Sequence, residues 1–473
     1  KFYGTGANNT LKGNNGNDIL QGKNGNDNLQ GGNNNDKLYG GDGNDKSYGE
    51  AGNDSLYMDA GNDTLDGGTG TDWLFVTGST NSVVNLAKTT GQNTGYGTDI
   101  IKNIENASGG TGVDKFYGTT GNNTLKGNNG NDILQGKNGN DNLQGGNNND
   151  KLYGGDGNDK SYGEAGNDSL YMDAGNDTLD GGTGTDWLFV TGSTNSVVNL
   201  AKTTGQNTGY GTDIIKNIEN ASGGTGVDKF YGTTGNNTLK GNNGIDILQG
   251  KNGNDNLQGG NNNDNLYGGN GNDKLYGGNG NDKLYGGNGN DKSYGQAGND
   301  SLYMDAGNDT LDGGIGTDWL YVTGSTNSVV NLAETTAQIT GYGTDIIKNI
   351  ENASGGTGVD KFYGTTGNNT LKGNNGNDIL HGRNGNDNLQ GGNNNDKLYG
   401  GNGSDQLYGG NNNDKLYGGS GKDTLEGGDG RDYMYAGNDS DRDIFIFRDI
   451  DETVTGSQRD RIFEFDSGED DIH

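Results

Sequence analysis

The sequence predicts an all-β chain of short strands repeated at a fixed interval, and three observations predict it. Aspartates fall at 18, 27, 36, 45, 54, 63 and 72, nine residues apart without a slip. A large apolar residue stands two places after each, Ser47 being the exception in that run. Glycine recurs at fixed places ahead of the aspartate, as in Gly40-Gly41-Asp42-Gly43-Asn44-Asp45, which is followed by Lys46-Ser47-Tyr48.

Each nonapeptide reads as six residues of turn and three of strand. Glycine at its first, second and fourth places supplies backbone angles that other residues enter only at a cost. Asn34 stands where one of these glycines is missing, and asparagine tolerates the left-handed region best among the remainder. In Lys37-Leu38-Tyr39 the side chains alternate, so Leu38 faces one side and its neighbours the other. One large apolar residue in nine leaves little burial to offset the entropy of ordering the turns. Every turn, however, carries a carboxylate, and hard cations are bound by carboxylates together with turn carbonyls.

The frame G-G-x-G-x-D-x-U-x, with U large and apolar, resembles the RTX, or haemolysin-type calcium-binding, repeat family. That resemblance implies a right-handed parallel β-roll or β-helix solenoid, with two nonapeptides per coil and calcium between stacked turns. Carried onto this sequence, it implies calcium ligands at Asp18, Asp27, Asp36, Asp45, Asp54, Asp63 and Asp72 in the first array. The second array offers Asp132, Asp141, Asp150, Asp159, Asp168, Asp177 and Asp186. The third, the longest, offers Asp246, Asp255, Asp264, Asp273, Asp282, Asp291, Asp300, Asp309 and Asp318. The fourth offers Asp378, Asp387, Asp396, Asp405, Asp414, Asp423 and Asp432. Asp18, Asp36, Asp54 and Asp72 are expected on one edge, with Asp27, Asp45 and Asp63 on the other. The plainer alternative is that these are solvated turn aspartates, which the strict register disfavours.

Composition sets the energetic terms. The chain has 473 residues, of which 99 are glycine and 26% hydrophobic, and its net charge is −32. Such a composition belongs with disordered proteins, so the chain is expected to be largely unfolded until calcium binds. Absence of proline and of a three-residue glycine period excludes collagen. Without cysteine there are neither disulfides nor zinc thiolates. The acidic balance argues against nucleic acid and anionic membrane partners, and no apolar run is long enough to span a bilayer.

A longer repeat lies above the nonapeptide. Unit 1 covers residues 1–114, with a roll at about 8–74 and a bridge at about 75–114. Unit 2, 115–228, matches it except at Gly6/Ala7 against Thr120/Gly121. Unit 3, 229–360, is longer by 18 residues, one whole coil, which leaves a solenoid's stacking undisturbed. Unit 4 covers 361–435, and a C-terminal β cap covers 436–473.

Each bridge carries β-branched segments such as Val83-Val84-Asn85-Leu86 and Asp99-Ile100-Ile101, read as strands that continue or flank the roll. Asp99, Glu105 and Asp114 are read there as strand-end polar groups rather than ligands. The segments around Asp443-Ile444-Phe445 and Asp460-Arg461-Ile462 resemble the aromatic cap that closes RTX rolls in secreted enzymes, and a solenoid needs one. Lys1 stands in phase with an internal unit, so a processed product or a segment of a longer protein is expected.

No catalytic constellation is visible, and the chain is expected not to be an enzyme. His381 and His473 stand apart, with neither an H-E-x-x-H helix nor a G-x-S-x-G elbow. His381 replaces the glutamine at 21 and 135 and is expected on the outer face. Tyr267, Tyr276, Tyr285, Tyr294 and Tyr303, interleaved with Lys274, Lys283 and Lys292, read either as strand formers with edge-protecting charges or as a sticky outer ladder.

The expected function is an extracellular calcium-binding structural protein: a repeat rod of a cell-surface layer, sheath or filament whose folding and assembly depend on calcium. In this it is similar to the oscillin-like calcium-binding surface glycoproteins of gliding filamentous cyanobacteria. Export by a one-step (type I) system to the bacterial cell surface is what RTX membership implies, and self-association or a cell-surface polysaccharide is the expected partnership. The alternative is the repeat region of a larger secreted adhesin, toxin or enzyme, serving as folding module and spacer. An ice-binding β-solenoid is a third reading.

Overall fold

The computed structural model describes residues 1–437, 439–448 and 459–473, and among them every regular element is a β-strand. Two compact units are distinguished, Lys1–Gly232 and Thr233–His473.

Within each unit the chain is a parallel β-solenoid. Strand Ile19–Asn24 pairs with Lys37–Asp42, and Leu20 faces Leu38, 18 residues on. Strand Asn28–Asn33 pairs in the same way with Lys46–Ala51. Successive nonapeptides therefore join opposite sheets, and two make one coil. The apolar residue of each strand enters the space between the sheets: Leu20, Leu29, Leu38 and Leu56 are fully buried. Lys37 is exposed and Tyr39 half-buried on the other face, as the alternation predicts.

The strands are longer than the three residues expected. Most run six residues, as in Lys37–Asp42, because pairing resumes beyond the first glycine with Lys23 opposite Gly41 and Asn24 opposite Asp42. The second glycine supplies the turn: Gly41 has φ +102°, and a Cβ there would overlap the Lys23 carbonyl of the preceding coil. Asn34 takes the left-handed region as predicted (φ 78°), but Lys23 (φ 83°) and Glu50 (φ 72°) do so too. A charged side chain can therefore stand at the second-glycine place despite the cost of that backbone region.

The bridges change one sheet at a time. In the first bridge, strand Thr64–Thr69 passes its pairing to Thr98–Lys102, which is closed by the antiparallel strand Gln92–Asn93. That ends a six-stranded sheet. The opposite sheet runs straight through, from Trp73–Val76 to Asn106–Ser108 to Thr124–Asn129, and reaches twelve strands. A new sheet starts with Val83–Asn85 against Lys115–Tyr117. Val84, Ile101 and Phe116 fill the core without exposure, as the leucines of the coils do, so the core continues through the bridge.

In the second compact unit the same exchange occurs at Thr344–Lys348, Asn352–Ser354 and Val329–Asn331. The C-terminal strands Ile444–Ile446 and Arg461–Phe463 continue the two faces, with Phe445 fully buried. Residues 438 and 449–458 of the expected cap lie outside the described residues.

Candidate metal centre

The solenoid stacks the predicted aspartates in columns. The N–H of each donates to Oδ1 of the aspartate one coil later, as from Asp36 to Asp54 and from Asp45 to Asp63, both at 2.7 Å. Asp18, Asp36, Asp54 and Asp72 form one column, and Asp27, Asp45 and Asp63 the other. The second array repeats this from Asp132 to Asp186 and from Asp141 to Asp177. In the third, Asp246 leads to Asp318 and Asp255 to Asp309. In the fourth, Asp378 leads to Asp432 and Asp387 to Asp423. All are buried except Asp18, which is half-buried.

The second oxygen of these carboxylates is the chemically telling one. In Asp36, Asp45, Asp273, Asp291 and Asp414, among many others, Oδ2 is buried and accepts no hydrogen bond. A buried ionised carboxylate left in this way is costly unless a cation or a proton meets it. The first glycine of the repeat makes the room. A Cβ on Gly22 would overlap both Asp27 Oδ2 and the carbonyl oxygen of Gly40 in the next coil, and a Cβ on Gly295 would overlap Asp300 Oδ2 and the Gly313 carbonyl. Carboxylate and carbonyl oxygens from consecutive coils thus converge beside a residue without a side chain. Such an all-oxygen donor set suits calcium, which takes six to eight oxygens, and the ladder aspartates with these glycine carbonyls are the groups that would hold it.

Without a cation, burial pushes the carboxylic acids upward, and neighbouring aspartates in the column add to it. Asp36 is raised to about 6 and Asp63 to about 7, while Asp264, Asp414 and Asp423 reach about 8. Desolvation is the largest cause in each, and the backbone N–H donated to Oδ1 opposes it.

The columns contain more residues than the nine-residue count found. Asp63 donates to Asp99 and Asp72 to Glu105, so the bridge extends both ladders. Asp114 starts the next column by donating to Asp132, and accepts from Ser82. Asp99 and Asp114 therefore continue the ladders, as their D-x-U pattern signals, but their Oδ2 atoms already accept hydrogen bonds, from the Thr94 hydroxyl and the Gly110 N–H. Asn9 and Asn123 head columns by donating to Asp27 and Asp141. Asp443 and Asp460 extend two columns into the C-terminal segment.

On the outer face the tyrosine series divides between the sheets. Tyr267, Tyr285 and Tyr303 stack on one face, with ring centroids 4.7 and 3.9 Å apart, and Tyr276 and Tyr294 stack on the other at 5.2 Å. His381 lies on this outer surface but half-buried, between Tyr363 at 4.9 Å and Tyr399 at 4.3 Å. Burial, then Arg383, hold its pKa below the usual histidine value.

None of the curated proteins compared matches the chain. A family model, the RTX calcium-binding nonapeptide repeat, matches residues 3–74, 108–192, 222–320 and 354–443 in overlapping copies. The unmatched stretches are the cores of the three bridges and the C-terminal end. With well over half its length matched, and with the repeat's aspartate stacked coil upon coil, the chain belongs to the RTX calcium-binding repeat family.

Proposed function

We propose that this chain is an extracellular structural rod, non-enzymatic, whose folding and assembly are switched by calcium bound along the aspartate columns. The observation that carries the reading is the row of buried carboxylates with unpartnered Oδ2 atoms facing glycine carbonyls. Calcium is the expected occupant, held by the ladder aspartates from Asp18 to Asp432. Affinity belongs to the class of extracellular modules, about 10⁻⁴–10⁻³ M. At a hundredfold excess of calcium over the dissociation constant, one site adds about 2.7 kcal/mol, so many weak sites acting together switch a long array. RTX repeat proteins are typically secreted by type I systems, which supports a place outside the cell.

Near-identical long units favour a structural role over catalysis. Self-association or a cell-surface polysaccharide is the proposed partnership, through the lysines and tyrosine edges of the outer sheets. A shallow groove of about 380 Å³ lined by Gln258, Tyr276 and Gln296 offers hydrogen-bonding groups there.

The deciding experiment is a calcium titration followed by circular dichroism and light scattering together, with magnesium as control. A cooperative, calcium-specific gain of β-structure with scattering rising in step supports the self-assembling rod. Folding with no rise in scattering makes the chain a spacer within a larger secreted protein. No response to calcium removes the reading altogether.

A further inference from the structure

One nonapeptide in each of the first three sequence units breaks the pattern in a correlated way. Met58, buried in the core, stands at the place of the first glycine, and Asp59 at that of the second. Strand Ser55–Met58 stops after four residues. The chain leaves the left-handed conformation at Asp59, whose Oδ2 accepts the N–H of Gly41 in the preceding coil. This places a third carboxylate against the column. One oxygen from each of Asp45, Asp59 and Asp63 lies within 4.8 Å of the others.

The acidic grouping has a second feature that asks for a ligand. Asp45 is 3% and Asp63 4% exposed, and Oδ2 of each is buried without a hydrogen-bond partner. The same arrangement recurs at Asp291, Asp305 and Asp309, where Met304 is buried and Asp305 accepts from Gly287. In the second sequence unit Asp173 accepts from Gly155 at 2.6 Å and lies beside Asp159 and Asp177, while the 4.8 Å grouping is that of the first and third units. The fourth sequence unit has no Met-Asp pair and keeps Gly-Gly at these places.

We propose that Asp59, Asp173 and Asp305 each complete a three-carboxylate calcium site, one per long unit, that binds more tightly than the ordinary ladder sites and fills first. The inference rests on the calcium-switched reading above and adds to it an order of filling. Two causes give the order. Calcium affinity is tuned by the number of charged ligands and by site rigidity. Here the charge rises by one, and the third carboxylate is fixed in place by its bond to the backbone of the coil before.

The test is calcium binding by the full chain in competition with a chromophoric chelator, for wild type and for the triple variant Asp59→Asn, Asp173→Asn, Asp305→Asn. Asparagine keeps an oxygen to accept the glycine N–H, so the variant is expected to fold in saturating calcium, which circular dichroism checks. Wild type should show three ions bound at least tenfold more tightly than the remainder. The triple variant should lose that class and keep the weaker one. A control with Asp36→Asn, Asp150→Asn and Asp282→Asn, at ordinary ladder places, should retain it. A tight class that survives in the Asp59 triple variant overturns the proposal, as does a single uniform class in a wild-type chain that still folds with calcium. A chain that binds no calcium at all overturns the calcium-switched function itself, so the two failures are distinguishable.

Discussion

Most of the array aspartates engage Oδ1 with a backbone N–H and leave Oδ2 buried without a hydrogen-bond partner, and a substitution can test whether that second oxygen holds a cation. Oδ1 of Asp273 accepts the N–H of Asp255, while Oδ2 has no hydrogen-bond partner. Asp273→Asn keeps the acceptor and removes the charge. We expect its melting temperature to fall in calcium and to stay unchanged or rise in chelator. An equal fall in both would show that Asp273 is not a ligand.

The raised acids predict a second residue-scale behaviour. In the folded chain without calcium, Asp36 at about 6 and Asp264 and Asp414 at about 8 hold protons that the unfolded chain has lost above the ordinary aspartate value of about 4. Folded chains then bind more protons than unfolded ones, so stability is full below about pH 4 and declines as pH rises through 6 to 8. In chelator, β-structure followed by circular dichroism should therefore weaken from acid to neutral pH. With calcium the trend should reverse, because protons compete with the ion. A chelator curve that rises with pH would contradict the burial of these carboxylates.

At the scale of the coil, the turn is held by side chains that stand in for backbone. Asn26 Oδ1 accepts the N–H of Asn44, and Asn44 Oδ1 that of Asn62, so asparagine fills the turns because its amide bridges coils. Those amide oxygens are already engaged within the fold, which counts against the ice-binding reading. The tyrosine columns are similarly self-occupied, since stacked rings cover one another's faces and leave their edges to solvent. The first glycine gives the sharpest prediction at this scale. Gly22 lies outside the left-handed region, so Gly22→Ala introduces no backbone strain of that kind, yet its Cβ would overlap Asp27 Oδ2 and the Gly40 carbonyl. The calcium midpoint for folding should move to higher concentration, and a midpoint equal to wild type would mean that the cradle is not used.

For the molecule as a whole, the rule is that alternate nonapeptides belong to opposite sheets. Removing residues 265–282, one coil in the second compact unit, should leave both columns in register and the calcium transition cooperative. Removing only 265–273 moves every later nonapeptide to the opposite sheet, so strand Ile247–Asn252 would meet Lys274–Asn279, native to the other sheet, in place of Asn265–Asn270. We expect that variant to need more calcium to fold than the 18-residue deletion. Equal calcium midpoints for the two deletions would mean that the two sheets are interchangeable.

The sequence by itself determined the period, the aspartate columns, the apolar stack and the family, because all of these are carried by local spacing that repeats. Asp99 and Asp114 escaped that reading for the same reason. Asp99 stands on the nine-residue count, but the two places before it carry Asn81 and Thr90 in place of aspartate, and Asp114 lies off the nine-residue frame of the first array. Only the folded chain, by pairing Ile101 with Leu65 and Phe116 with Leu134, brings them back into line. Tertiary structure alone decided which carboxylate oxygen is spent on a backbone N–H and which is left for a cation. It also decided that Asp59 meets Asp45 and Asp63. Those are distances between coils, and a linear spacing fixes which residues recur without fixing which atoms converge.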